Sequence, residues 1–432
     1  MRILLVGGGG REHALAWKIA QSDACEQLFV APGNAGIATL AECVPIAPKD
    51  LPALVRFARE QRIDLVVVGP ESPLIAGLAD AMQAAGIPCF GPSRAAAQLE
   101  GSKAFAKQLM AEIGVPTAPF RVFDDPAEAK RYLHEQFPHQ KCVVKADGEA
   151  LGKGAFVCES LQDALDAVAF LMEQRGLGEA GQRVVIERRL YGRELSLLCF
   201  TDGHTVYPMP PVRDYKRALD GDRGPNTGGM GCFTPVPDAA PTLLQQSIRQ
   251  IIEPTVRALT ARGTPYRGVL YAGLMIAAPD TLATEPGGSE PQPFVLEFNC
   301  RFGDPEAQVL LPLLKTDFVS IAQATIEGRL DGLTVEFEPR AAVCVVLASG
   351  GYPGDYRTGI PIEGLETAAQ MPNVLIFHAG TRLHEGKLVT AGGRVLNVVG
   401  LGSTLSEARQ HAYRALEQIH FDGMHYRTDI AS

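Results

Sequence analysis

Residues 2–20, RILLVGGGGREHALAWKIA, run a short apolar strand straight into four glycines and then into a helical pattern. The unit recurs at once. QLFVAPG (27–33), IDLVVVGPE (63–71) and IPCFGP (87–92) are further apolar runs, and helical patterns at about 51–61 and 73–85 lie between them. Strands that are apolar on both faces belong inside a sheet covered on both sides. The pattern predicts an α/β fold opening with a doubly wound parallel sheet, its ligands at the carboxyl ends of the strands.

Beyond this block a helix is expected from Ser102, stopped by Gly114 with Pro116 just past it. Residues 120–200 read as a small α+β unit: a helix at 127–136, KCVVKA (141–146), a glycine-rich loop, AFVCE (155–159), a helix at 161–174, then RVVIERRL (183–190) and ELSLLCF (194–200). Hairpin-like strands around one helix at 243–261 fill 201–300. From about 340 the chain returns to strands and closes on the helix TLSEARQHAYRALEQIH (404–420). TLATEPGGSEPQP (281–293) reads as an exposed loop. The expected division is 1–101, 102–330 with 120–192 as a lid subdomain, and 331–432 as a small mixed α/β domain.

Forty Lys and Arg against 49 Asp and Glu give a net charge of −9, which excludes a general polyanion-binding surface and with it nucleic acid as an expected partner. Phosphate chemistry must be local. No run approaches the roughly 20 apolar residues of a membrane span, and Arg11, Glu12 and His13 interrupt any N-terminal signal, so a cytoplasmic protein without membrane contact is expected. Nine scattered cysteines without a CxxC pair read as reduced core thiols.

VGGGGREH (6–13) fails the dinucleotide fingerprint, whose third glycine falls on Glu12 or His13, and no acidic residue follows QLFVAPG for a ribose hydroxyl. Its amides and Arg11 suit one phosphate monoester, although a tight turn needs no ligand. KADGEALGKG (145–154) lacks the spacing of a Walker loop and lies between strands. Such a hairpin can fold over a triphosphate, or simply hold solvated lysines. In VLEFNCRFGDPE (295–306) Glu297 and Asn299 share one strand face and offer hard oxygens to Mg²⁺, with Arg301 on that face if the strand continues. Asp304 and Glu306 read as the cap and first turn of a helix. RDYKR (213–217) and GPNTGGMG (224–231) carry no secondary-structure pattern.

Taken together, GGGGREHA, PGNAG (32–36), VGPE (68–71), GPSRAAAQLEGSKAFAK (91–107), KADG…GKG, GPNTGGMG, EFNCRFGDPE and GGYPGDYRTG (350–359) resemble, in order and across nearly the whole chain, the glycinamide ribonucleotide synthetase family of the ATP-grasp superfamily. The resemblance implies a pre-ATP-grasp N-terminal domain, a central ATP-grasp unit, and use of ATP with Mg²⁺ or Mn²⁺. It implies ligation of glycine to 5-phosphoribosylamine through glycyl phosphate, giving glycinamide ribonucleotide, ADP and phosphate in de novo purine synthesis. A monomer without the fused transformylase and cyclo-ligase domains of some eukaryotic versions is expected.

Carried over residue by residue, Lys103, Lys145 and Lys153 would hold ATP phosphates, Glu187 and Leu190 would line adenine, and Glu194 would bind ribose. Glu297 and Asn299 would be the metal ligands. Gly9, Gly10, Arg11, Asn34, Pro70 and Glu71 would hold phosphoribosylamine, while Asp214, Gly228, Gly229, Met230 and Gly231 lie near glycine and the amine. Asp214, Arg301 and Lys153 are the expected catalytic groups. Departures from the family pattern are Glu149 and Leu151 in the triphosphate loop, Tyr215 where His is common, and Arg188–Arg189 in place of a more acidic hinge. They bear on rate and loop closure more than on the reaction. Rival readings are another ATP-grasp ligase of purine synthesis, a nucleotide-binding regulator, and a dehydrogenase using the N-terminal glycines.

Overall fold

The computed structural model describes residues 1–148, 154–277 and 291–432. Its first sheet is wholly parallel, in the order Glu42–Cys43, Gln27–Pro32, Arg2–Gly7, Leu65–Val68, Cys89–Phe90. The strand order reverses between Arg2–Gly7 and Leu65–Val68. The crevice outside a reversal of this kind is where doubly wound sheets bind ligands, and there Gly7 lies beside Pro70. The helical pattern at 73–85 is two helices, Glu71–Ala76 and Leu78–Ala84, because Gly77 at φ +98° turns left-handed between them. Ser102 caps Lys103–Ile113 by accepting from the Phe105 amide, and Gly114 closes it at φ +70°.

The segment expected to be the lid is an antiparallel sheet, Phe120–Phe123, Val184–Arg188, Cys142–Ala146, Ala155–Cys158, backed by helices Pro126–Gln136 and Leu161–Val168. Phe123, Leu133, Val144, Leu171 and Ile186 form a core separate from the two larger ones. Strand Gly192–Thr201 leaves the lid and pairs with Gly268–Ala277, which pairs in turn with Gln292–Asn299.

Two expectations change here. The segments around RDYKR and GPNTGGMG are ordered: Arg213–Asp214 and Gly231–Thr234 are strands, with the hairpin Arg217–Leu219/Arg223–Asn226 between them. Those two strands join Ala341–Ala348, Arg394–Gly402 and Val374–His378 in one antiparallel sheet, so the middle third of the chain completes the sheet of the last third. The sequence misses them because each is short, and Gly231–Thr234 pairs with residues more than a hundred positions on. Asp304 does not cap a helix: the helix Glu306–Leu310 starts at Pro305 with no side-chain cap, since the Asp304 carboxylate is taken by the Gln308 side chain, by Arg394 and by the Arg11 amide. Lys153, Glu149 and Leu151, and residues 281–290 of the expected exposed loop, lie outside the described residues. No helix among the described residues is long and apolar enough to cross a membrane.

Candidate functional site

At the N-terminal crevice the glycines have a steric cause. A Cβ on Gly7 would stand 2.4 Å from Glu12 Cγ and one on Gly69 2.1 Å from Glu12 Oε1, so the Glu12 carboxylate fits only between bare backbones. That carboxylate accepts from the Gly9 amide (2.7 Å) and from Arg11 Nε (2.6 Å), and Arg11 also donates to the Phe302 carbonyl. The Arg11 amide points at Asp304 Oδ2, 3.4 Å away. Protein carboxylates therefore stand where the sequence suggested a phosphate alone. Asn34 donates to the Gly8 and His378 carbonyls and accepts from the amides of Gly36 and Ile37, which fills both donors of its amide and makes it a staple holding the glycine turn. Pro70 precedes the helix that Glu71 begins.

Arg301 ties this crevice to the strand of the expected metal ligands. The strand ends at Asn299, so Arg301 reaches back by a turn rather than by alternation, and its Nη2 donates to Asn299 Oδ1 (3.0 Å) and Glu100 (2.8 Å) while Nε donates to Glu71 (3.1 Å). Burial pushes the Glu71 carboxyl up, but Arg301, Arg11 and its own helix-start amide outweigh it and hold it down at about 2. Glu100, deeper, is raised by burial despite the same guanidinium.

Glu297 is likewise held ionised. Burial opposes its charge, and Lys216, Lys103, Lys145 and Arg301 together bring its pKa below the ordinary value. Among the described residues no group of three or more His, Cys, Asp or Glu could hold a metal unaided. An ionised carboxylate and an amide oxygen two apart on one strand are half a shell of hard ligands, which suits Mg²⁺ or Mn²⁺ arriving with phosphate oxygens. The residues present fit such an ion.

In the cleft between the lid and the second sheet, Lys145 pairs with Glu187 (2.6 Å) and donates to the Leu296 carbonyl (2.9 Å), leaving one of its three N–H donors. Glu187 also binds Lys107 (2.5 Å). It is buried beneath two ammonium groups, so its carboxylate is a brace for the lysines as well as a neighbour of the expected adenine site. Leu190, three residues on, is buried. Asp147 anchors the other side of the cleft, accepting from Ser102 Oγ and the Ala104 amide, with Lys103 donating its backbone N–H to the Asp147 carbonyl.

Asp214 lies opposite Cys232 in the third sheet. Burial, only partly offset by Lys216 and reinforced by Glu306, Glu194 and Glu297, raises its carboxyl to about 7. Glu306 accepts from Tyr271 (2.6 Å) and Ser196 (3.3 Å) beneath it. Met230 is buried and its amide donates to the Tyr215 carbonyl, while Gly228 and Gly229 are gripped by Arg394, which spans the Gly228 and Asp304 carbonyls at 2.7 Å each. Gly229 at φ +113° and Gly231 at φ +155° take conformations that disfavour side chains. Tyr215 turns away from the site: its hydroxyl accepts from the Ala431 amide and Arg427 stacks over its ring.

Sequence reasoning passed over Glu12, Glu100, Lys216, Asp304 as a junction, and Arg394. Lys216 carried a usable signal, two residues after Asp214 in RDYKR. Arg394 carried none, because its partners lie ninety or more positions earlier.

Residues 1–100 match the N domain of phosphoribosylglycinamide synthetase, 101–307 its ATP-grasp (A) domain and 342–432 its C domain. Over 432 residues, all of both chains, the sequence is 47% identical to a phosphoribosylamine–glycine ligase of Caldanaerobacter subterraneus subsp. tengcongensis. The fold matches the crystal structure of a phosphoribosylamine–glycine ligase from Thermotoga maritima at a TM-score of 0.84 and 35% identity, covering 100% of each chain. The biotin carboxylase domain of Hydrogenobacter thermophilus 2-oxoglutarate carboxylase shares the fold at a TM-score of 0.73 and 15% identity, covering 98% of this chain and 91% of that one.

Proposed function

The chain belongs to the phosphoribosylglycinamide synthetase family, and from that premise we propose that it joins glycine to 5-phosphoribosylamine at the expense of ATP, in purine biosynthesis. The observation that carries this reading is Arg301, which bonds both to Asn299 on the strand of the phosphate-side carboxylate and to Glu71 at the sugar crevice. One guanidinium couples two binding places that the reaction must bring together.

Glycine's carboxylate is a poor acyl donor. Its oxygen attacks the γ-phosphorus of ATP, the bond to the bridging oxygen breaks, and ADP leaves with the electron pair. The amine of phosphoribosylamine then attacks the acyl carbon of glycyl phosphate, phosphate departs, and the nitrogen loses a proton. Positioning and charge neutralisation dominate such transfers. Lys103, the remaining donor of Lys145, and Lys153 from the lid hold the triphosphate, with Glu187 and Leu190 beside adenine and Glu194 on ribose. Glu297 and Asn299 would hold Mg²⁺ or Mn²⁺, whose chemistry when bound is to neutralise phosphate charge.

Gly9, Gly10, Arg11, Asn34, Pro70 and Glu71 shape the phosphoribosylamine crevice, with Gly228, Gly229, Met230 and Gly231 closing over glycine. Asp214 receives the amine's proton. A carboxylate titrating near neutrality is a far better base than an ordinary one. We assign the division of labour to residues 1–101, 102–330 with the lid at 120–192, and 331–432, in a cytoplasmic monomer. The test is substrate dependence of ADP release: it must require glycine and phosphoribosylamine together, and release supported by formate or bicarbonate instead would assign the chain to a different ATP-grasp reaction.

A further inference from the structure

The Lys216 ammonium lies 2.7 Å from Glu194, with Asp214, Tyr271 and Glu297 also within electrostatic reach. Its main chain is fixed, since the amide and hydroxyl of Thr227 both donate to the Lys216 carbonyl (2.7 and 2.9 Å). The side chain is one-third exposed. A clamped backbone bearing a partly exposed four-carbon stem lets the charge change partners without moving the loop.

Its present partner is the carboxylate assigned above to ribose. A diol donating to both oxygens of Glu194 takes two of the roughly four acceptor sites of the carboxylate and weakens its hold on the ammonium, and the arriving triphosphate brings about four negative charges against one. Both changes favour departure. Glu297, on the phosphate side of the cleft, already lies within the field of Lys216.

We propose that Lys216 is a catalytic cation, released from Glu194 by the nucleotide's ribose and carried to the phosphoryl group in transfer; this rests on the ligase reading. As the carboxylate oxygen of glycine bonds to the γ-phosphorus and the bridging P–O bond breaks toward ADP, the ammonium donates hydrogen bonds to the transferred oxygens and neither gains nor loses a proton. Nucleotide occupancy thereby arms the site: without a ribose on Glu194 the ammonium stays paired with that carboxylate.

The test compares wild type, Lys216→Gln and Lys216→Arg with ATP, glycine and phosphoribosylamine. Lys216→Gln should lower kcat on the order of 100-fold, while the KM for ATP stays level or falls because Glu194 has lost its competitor. Lys216→Arg should recover part of kcat. An unchanged kcat, or a raised KM for ATP with kcat retained, overturns the proposal. A second measurement needs no variant: wild type with saturating 2′,3′-dideoxy-ATP should turn over roughly 10-fold more slowly, since remote binding that arms a site appears in kcat. Full kcat with only a raised KM overturns the proposal even if Lys216→Gln fails to fold. Failure of the ligase reading looks different, as the wild type would then release no ADP from ATP with glycine and phosphoribosylamine.

Discussion

Arg11 is nearly buried against Glu12, whose other oxygen serves the Gly9 amide. Replacing Arg11 by Ala leaves a buried carboxylate without its cation, so Arg11→Ala should lose about 3–5 kcal/mol of stability, read as a lower urea midpoint. It should also raise the KM for phosphoribosylamine more than those for ATP or glycine; equal increases would mean that Arg11 supports only the fold. Asp214 makes a different prediction. With its carboxyl raised to about 7, kcat/KM for phosphoribosylamine should climb with pH and level off above about 7. Asp214→Asn should abolish that limb and cost about 10²–10⁴ in rate; a limb that survives would move the base elsewhere. The same shift has the opposite sign for stability: folded Asp214 holds its proton between an unfolded value near 3.8 and about 7, so its contribution is largest below 3.8 and is lost as pH rises through that window. Glu297→Gln should weaken the metal dependence of turnover, and an unchanged Mg²⁺ titration would place the ligand on another residue.

Elements whose signals are local were readable from the chain. Ser102, Asp125, Ser160 and Thr404 each cap the helix that follows, and the parallel strands are the apolar runs themselves. What escaped depends on partners far along the sequence: Asp304 looked like a cap because nothing nearby reveals Arg11 or Arg394, and the two-residue strand Arg213–Asp214 exists only through its pairing. Site residues were legible as types in order, yet the carboxylates filling the glycine turn were not, since composition does not show which amide an acid will take. Packing between elements yields its own test. A methyl on Gly36 would stand 2.4 Å from the His13 ring and 2.5 Å from that of His378. Gly36→Ala should therefore lower stability by about 1–3 kcal/mol, whereas Gly332→Ala, with open space around it, should stay within about 0.5 kcal/mol.

Across the whole molecule, His13 and His378 form the seam between the N-terminal helix Gly10–Ile19 and the last sheet. The His378 amide donates to His13 Nδ1 at 2.7 Å. Burial, then His378, lowers His13 to about 3, and burial lowers His378 to about 4. Unfolded imidazoles protonate near 6.5, so between that value and about 4 these two rings bind more protons in the unfolded chain, and their contribution to stability should fall as pH drops through this range, against the opposite contribution of Asp214. Urea midpoints near pH 5 and pH 7.5 check it, and His378→Asn should flatten the difference; an identical slope in the variant would exclude this seam as the cause. The sheet shared by the middle and last thirds of the chain has a consequence in time. Gly231–Thr234 has Arg213–Asp214 on one side but finds its other neighbour in Ala341–Ala348, about a hundred residues later, so during synthesis at about 5–20 residues per second that strand waits roughly 5–20 s with one open edge. A nascent chain halted in that interval carries an unpaired edge beside Asp214, and such edges recruit other chains. Ribosome stalling before residue 341 should thus yield aggregates, whereas stalling after residue 402 should not.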